Sequence, residues 1–234
     1  MSPSGKTSTA SYSPPSGQDV RSAKTRAKLI EAAIDEFGAV GYEAASTRTL
    51  TQRANVNLAA IPYHFGGKRE LYLAAARQIA DYAQCRLEEA SNLLIELDSE
   101  DPLTRVESAF LHLLHIILDD KEPRSWTSFL ARCTFENDDA FAMIYDDALE
   151  PFQQNVSEVA KNISPRTMDP NAVRLRVSTI ITTIISFRLL RGFVLRAMGQ
   201  KQIRHKDAQQ IEAIIKDLIR SNFLPPRAAV RSRH

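Results

Sequence analysis

Residues 43–65 read EAASTRTLTQRANVNLAAIPYHF, and the pattern of this stretch decides the architecture. Ser46 suits the position just before a helix, where its hydroxyl accepts from a backbone N–H that has no partner inside the helix. Residues 47–54 then place Leu50 and Ala54 on one side, four apart. Asn55-Val56-Asn57 interrupts that helix. Asn tolerates a left-handed backbone at position 55, and Asn57 is a suitable cap for a second helix. The second helix is predicted over residues 58–64, seated by Val56 and Ile61, with small and polar side chains outwards. Pro62 lies within it. Having no N–H, it removes the bond to Leu58 and predicts a short or bent helix. Two short helices around such a break form a helix-turn-helix pattern, whose second helix fits a DNA major groove.

The flanks narrow the reading. Upstream, Leu29, Ile30, Ala33, Ile34 and Phe37 recur at helical spacing, and Gly38 with Gly41-Tyr42 reads as stop and turn. Downstream, Gly66-Gly67 makes a turn and Lys68 opens a fresh helix. The unpaired N–H groups there, the positive end of the helix dipole and the Lys68 charge together make a phosphate seat. The ordered set is a helix ending in Phe, then Gly-Tyr, Ser-x-Arg-x-Leu, Ala-x-Val-Asn, Tyr-His-Phe and Lys-x-x-Leu-Tyr. It resembles the DNA-binding domain of the tetracycline-repressor (TetR) family over roughly residues 25–73. The run AAIPYHFGGK, with the later Phe187-Arg188, Val194-Leu195-Arg196 and Gly199, is similar to one subgroup of that family.

The resemblance implies DNA contacts at Arg48, Asn57, Leu58, Ala59, Ala60, Tyr63, His64 and Lys68. In that reading Arg48 and Lys68 take phosphates, as Tyr63 and His64 can, while Asn57 to Ala60 come within reach of base edges. The competing reading is that these residues only cover a small three-helix core.

Charge distribution agrees with one end facing a polyanion. Residues 1–80 carry ten Lys and Arg against six Asp and Glu; residues 81–200 carry twelve against nineteen, and residues 201–234 eight against three. Residues 1–20 are rich in Ser, Thr, Pro and Gly and are expected to form a disordered tail. Arg21, Lys24, Arg26 and Lys28 follow as a basic approach to the first helix. Cys85 and Cys133 match no metal or redox spacing and read as reduced thiols. The longest uncharged apolar run, residues 177–187, is too short to span a bilayer, so a cytoplasmic protein with no membrane partner is expected. No catalytic or cofactor motif is present, so neither an enzyme nor a cofactor is expected.

Everything after residue 68 reads as helix. One long helix is expected to run to about residue 97, followed by others over 102–120, 125–136 and 138–163, the last kinked or divided by Pro151. A long apolar helix over 171–198 ends at Gly199, and Asp207 caps a final helix that reaches Phe223 before Pro225-Pro226. The acidic pairs 119–120, 138–139 and 146–147 read as solvated helix ends. The expected fold is all-α. It comprises a helix-turn-helix domain over 21–70, a helical effector and dimerisation domain over 71–224 and a basic tail over 225–234.

By the family resemblance the helical domain encloses a cavity for a small-molecule effector. His112, His115, Trp126, Phe129, Arg132, Cys133, Tyr145 and Arg188 are its candidate lining. The family implies a homodimer on a palindromic operator, most simply a repressor. The apolar stripes Ile180-Ile184-Phe187-Val194 and Ile211-Ile214-Ile215-Leu218 place the dimer contact on the last two helices. One alternative is the same fold switched by a protein partner without a cavity.

Overall fold

The computed structural model describes residues 16–96, 100–119 and 121–224, and among them there is helix but no strand. The fold is all-α. In chain order the helices are α1 (Gly17–Val40), α2 (Thr47–Ala54), α3 (Ala60–Phe65), α4 (Lys68–Glu96), α5 (Pro102–Leu118) and α6 (Arg124–Glu136). Then follow α7 (Asp139–Ile144), a π-helical segment (Tyr145–Leu149), α8 (Glu150–Ala160), α9 (Pro170–Leu189), α10 (Arg191–Ala197) and α11 (His205–Phe223).

The last residues of the stretch expected to be disordered, 1–20, are helical. Ser16 and Asp19 form a reciprocal cap, each side chain accepting from the other's backbone N–H at 3.2 and 3.0 Å, so residues 17–20 are already helical. The remainder of that tail, residues 97–99, Asp120 and the expected Pro225-Pro226 stop and basic tail lie outside the described residues. α1 also runs through Gly38 and stops at Gly41, where φ is 86° and the N–H donates to the Phe37 carbonyl at 2.8 Å. Gly38 has a packing purpose. A Cβ there would stand 2.8 Å from the Ser125 carbonyl oxygen and 3.0 Å from the Phe129 nitrogen, so only glycine lets α6 lie this close to α1.

Two cores follow. The first joins Leu29, Ala33, Ile34 and Phe37 of α1 to Leu50, Ile61, Leu71 and Ala75, and it also takes in Phe129 and Cys133 of α6 and Ile144 of α7. The second gathers Leu87 and Leu94 of α4 with residues of α5, α8, α9 and α11. α4 is continuous through both. Two of the acidic pairs, 138–139 and 146–147, do more than solvate helix ends. Asp138 caps α7 and accepts from the Tyr72 hydroxyl, while Asp139 and Asp147 pair with Arg69 and Arg77 of α4.

Two expectations about the later helices are corrected and one is refined. Pro151 divides its helix as expected, but the register change sits ahead of it in the π segment, which lets α8 restart with Pro151 in its first turn. The long helix over 171–198 is in fact two. Leu190 leaves helical backbone (φ −107°, ψ 25°), Gly192 follows, and α10 turns away from α9 by 80°. No single helix among the described residues is long and apolar enough to cross a membrane. Asp207 is the third residue of α11 rather than its cap. Its carboxylate accepts from Arg204 N and Nε at 2.9 and 3.0 Å, and the Arg204 bond holds its pKa below the usual carboxylate range.

The apolar stripes are reassigned too. Ile180, Ile184, Ile211 and Ile215 are buried inside their own chain. Along residues 170–223 the large apolar side chains left outside are Leu175, Leu190, Phe193 and Ile214.

Candidate nucleic-acid interface and helical cleft

α2 is set by Ser46, whose hydroxyl oxygen accepts from Thr49 N at 3.0 Å, and by Asn55, which takes the left-handed backbone at φ 53°. α3 begins at Ala60, two residues later than expected. Asn57 is therefore not a helix cap; its Oδ1 accepts from Ala59 N at 2.9 Å and closes a turn over Leu58-Ala59. This late start resolves Pro62. It falls in the first turn, where a backbone N–H has no partner inside the helix, so its missing donor breaks nothing.

Ile61 anchors α3 in the core at 1% exposure, and Val56 packs beside it. With Ile61 down, Asn57, Leu58, Ala59 and Tyr63 face outwards, Leu58 at 56% and Tyr63 at 77%. Arg48 on α2 is exposed as well. Ala60 and His64 are half-buried: Ala60 leans on the core, and the His64 ring lies between Tyr63 and Phe65. Lys68 is already engaged, its ammonium 3.4 Å from the Glu43 carbonyl oxygen and 4.4 Å above the Tyr42 ring. Arg26 is engaged too. It stacks on Phe65 at 4.4 Å and donates to the His64 carbonyl at 3.2 Å, fastening α1 to the end of α3.

A second feature lies between α4, α5, α6 and α9: an apolar cleft of about 130 Å³. Ile79 and Ala83 of α4, Leu113 and Ile117 of α5, Leu130 of α6 and Ile185 of α9 line it. Arg86, Glu122 and Arg188 interrupt these walls with charge. Arg188 pairs with Glu122 and donates from Nε to Thr127 Oγ1 at 2.8 Å, while the Tyr82 hydroxyl donates to the other Glu122 oxygen. Burial alone would raise the Glu122 pKa, but the bonds from Tyr82 and Arg188 prevail and lower it. Burial and the same carboxylate push the Tyr82 phenol up to about 12. Trp126 meets Tyr82 edge to face at 5.2 Å.

Residues 102–223 match the family described as "HTH-type transcriptional dual regulator CecR, C-terminal domain". Residues 29–75 match "Bacterial regulatory proteins, tetR family". The chain belongs to the TetR family of transcriptional regulators. Among curated relatives, this TetR-family chain is similar to the HTH-type transcriptional dual regulator CecR of Shigella flexneri, 25% identical over 77% of this chain and 82% of the relative. It is also 25% similar in identity to the HTH-type transcriptional repressor AcnR of Corynebacterium efficiens, over 74% of this chain and 81% of that one. Among solved structures, a regulator from Rhodococcus sp. Rha1 superposes with a TM-score of 0.60 at 21% identity, covering 86% of this chain and 99% of that one.

The regulator's predicted cleft residues divide. Trp126 and Arg188 line the cleft. Phe129 and Cys133 belong to the first core, packed under α1; burial pushes the Cys133 thiol up to about 12. Arg132 turns the other way and donates to the Gly38 and Ala39 carbonyls at 2.9 and 2.7 Å, capping the end of α1. Tyr145 stacks on Phe141 and its hydroxyl donates to Gln153 at 3.4 Å. His115 lies 2.9 Å from Glu212 on the surface and His112 3.5 Å from Glu89, so neither is a lining residue. Glu122, Thr127 and Tyr82 were missed. Glu122 sits in a Lys-Glu-Pro-Arg stretch that reads as an ordinary solvated turn, and only the return of α9 some sixty residues later gives it Arg188.

Proposed function

We propose that the protein is an effector-controlled repressor that grips a roughly palindromic operator as a homodimer, with α3 as the reading helix. The observation carrying this is the pose of α3: one buried anchor, Ile61, and an outward row of Asn57, Leu58, Ala59 and Tyr63. Short side chains at Ala59 let backbone and base edges approach, and Asn57 keeps amide donors for a base. Arg48, Tyr63, His64, Lys68 and the α4 N-terminus take phosphates, which fix register rather than sequence. Ala60, tucked against the core, sets the height of the helix instead of touching bases. In this reading residues 21–70 form the DNA-binding unit and residues 71–224 the effector and dimerisation unit.

TetR regulators bind operator DNA and act as dimers. Here the outward faces of α9 and α11, with Leu175 and Ile214, and α10, with Phe193, are the surface for the second copy. CecR is named a dual regulator and AcnR a repressor, which supports control of transcription and favours repression. The cleft favours a small-molecule effector over a protein partner, since a partner-switched version needs no void among Trp126, Leu130 and Ile185.

Selection of DNA from a random pool, followed by sedimentation of the complex, tests this reading. An inverted repeat carrying two chains is expected. Ile214→Glu should then yield folded monomers without tight operator binding, because Ile214 is outside the core at 60% exposure. Enrichment of no sequence, or a single half-site holding one chain, would refute it.

A further inference from the structure

α1 is longer than the core it packs into. Its first buried side chain is Leu29, and residues 17–28 ahead of it stand outside both cores. At 1.5 Å per residue they carry the helix about 18 Å beyond its packed part. A helix of that length is marginal in water alone, but this one continues a packed helix and is closed by the Ser16–Asp19 cap. Arg26 sets its direction. By gripping the His64 carbonyl and the Phe65 ring, it makes the overhang leave the domain beside the end of α3.

The overhang carries a line of unspent charge. Arg21, Lys24 and Lys28 stand at i, i+3 and i+7, within about 60° of one another around the axis and on the side away from Arg26. All three are exposed, and none has a hydrogen-bonding or ionic partner among the described residues. Glu31 and Asp35 follow on the same side, so the positive stripe ends where α1 enters the core. Other cations nearby are spent: Arg53 on Glu36, Arg69 on Asp139 and Arg77 on Asp147. Lys24 and Lys28, four apart, repel one another, a cost that a line of negative charge along the stripe relieves.

We propose that this overhang is a second DNA contact, resting on the reading of α3 above. With α3 in the major groove, the Arg21-Lys24-Lys28 stripe lies along the sugar–phosphate backbone that flanks each half-site. A length of about 18 Å corresponds to about five base pairs of duplex. Such contacts lengthen the footprint and add affinity, and they carry no sequence preference. Charge and continuity with α3 select DNA over a second copy of the chain as the occupant. The surface assigned to the second copy presents Leu175, Phe193 and Ile214, whereas this stripe is wholly cationic.

The test compares three full-length proteins on the operator selected by the wild type, with long flanks. They are the wild type, R21Q/K24Q/K28Q, and a control, K121Q/K161Q/R166Q, which removes equal charge from exposed sites elsewhere. In the first variant, hydroxyl-radical protection should retreat by up to about five nucleotides outside each half-site. The plot of log affinity against log salt should become shallower by about 5 per dimer, six phosphates at about 0.9 each. Affinity at about 0.1 M salt should fall at least about tenfold, with the selected sequence unchanged. The control should keep the wild-type footprint and slope. Trimming the flanks by about five base pairs a side should weaken the wild type similarly, which tests the contact even if the variant fails to fold. An unchanged footprint and slope in R21Q/K24Q/K28Q, or an equal loss in the control, would overturn the contact. A changed base preference would overturn the phosphate assignment, and monomers in sedimentation would give the stripe to the second copy. Failure of the wild type to select any operator would instead remove the reading of α3 beneath the proposal.

Discussion

Two faces of α6 live in opposite surroundings. One face, with Ser125, Phe129 and Cys133, is pressed so closely on α1 that Gly38 cannot carry a methyl group, and Arg132 reaches over to cap α1. The other, with Trp126, Thr127 and Leu130, borders a void and is held sideways by the Arg188–Glu122 pair. A tight joint transmits displacement, because packed interiors deform little. A loose, polar-latched joint accepts a ligand. Under the proposed function, the contrast would make α6 the connecting rod between cleft and DNA-binding core, with α1, pinned by Arg26 to the end of α3, as the next link.

The tight joint should fail most heavily. Gly38→Leu must drive α6 off α1, since the new Cβ meets backbone atoms of Ser125 and Phe129 that cannot swing aside. Loss of about 3 kcal/mol is expected in denaturant unfolding. A variant as stable as the wild type would show that the close approach is not real. Arg132→Ala should cost less, about 2 kcal/mol, from the two bonds to the last carbonyls of α1. Its signature in hydrogen exchange is faster exchange at the C-terminal turn of α1 while α9 is unchanged; equal protection in both would reject it.

At the loose joint the effect is smaller and depends on pH. Glu122→Gln should lower stability by about 1–2 kcal/mol at neutral pH, since a charged acceptor of two bonds becomes a neutral one. The Glu122 carboxyl is held below its ordinary value of 4.5, so its stabilisation is complete above that value and is lost as pH falls through the lower folded value. Trp126 fluorescence in the wild type should therefore shift in that acid range. The same shift in Glu122→Gln would assign it to another group.

The same contrast explains how much could be read from the chain alone. The helix-turn-helix rests on neighbours: Ser46 to Thr49, Asn55 in its own turn, Ile61 opposite Tyr63. Such signals lie within a few residues of each other and survive in one dimension. The start of α3 escaped because Asn57 has two short-range options, capping a helix or closing a turn, and the turn won. The cleft rests on distant partners. Arg188 was visible as a charge within an apolar helix, but Glu122 and Tyr82 became its partners only through folding. Ile215 was misread for a related reason: helical spacing groups it with Ile214, and nothing local says which faces the core. The break at Leu190 carried only the weak signal of Gly192.

Coupling between the cleft and the reading helix is tested most directly by filling the void without any ligand. Ala83 lines the cleft on α4, and Ala83→Phe places a ring where an effector would sit. Operator affinity of this variant, measured on the DNA selected by the wild type, should fall at least about tenfold while helix content and dimerisation stay unchanged. An altered Trp126 emission, proving that the void is filled, together with unchanged operator affinity would contradict the coupling through α6.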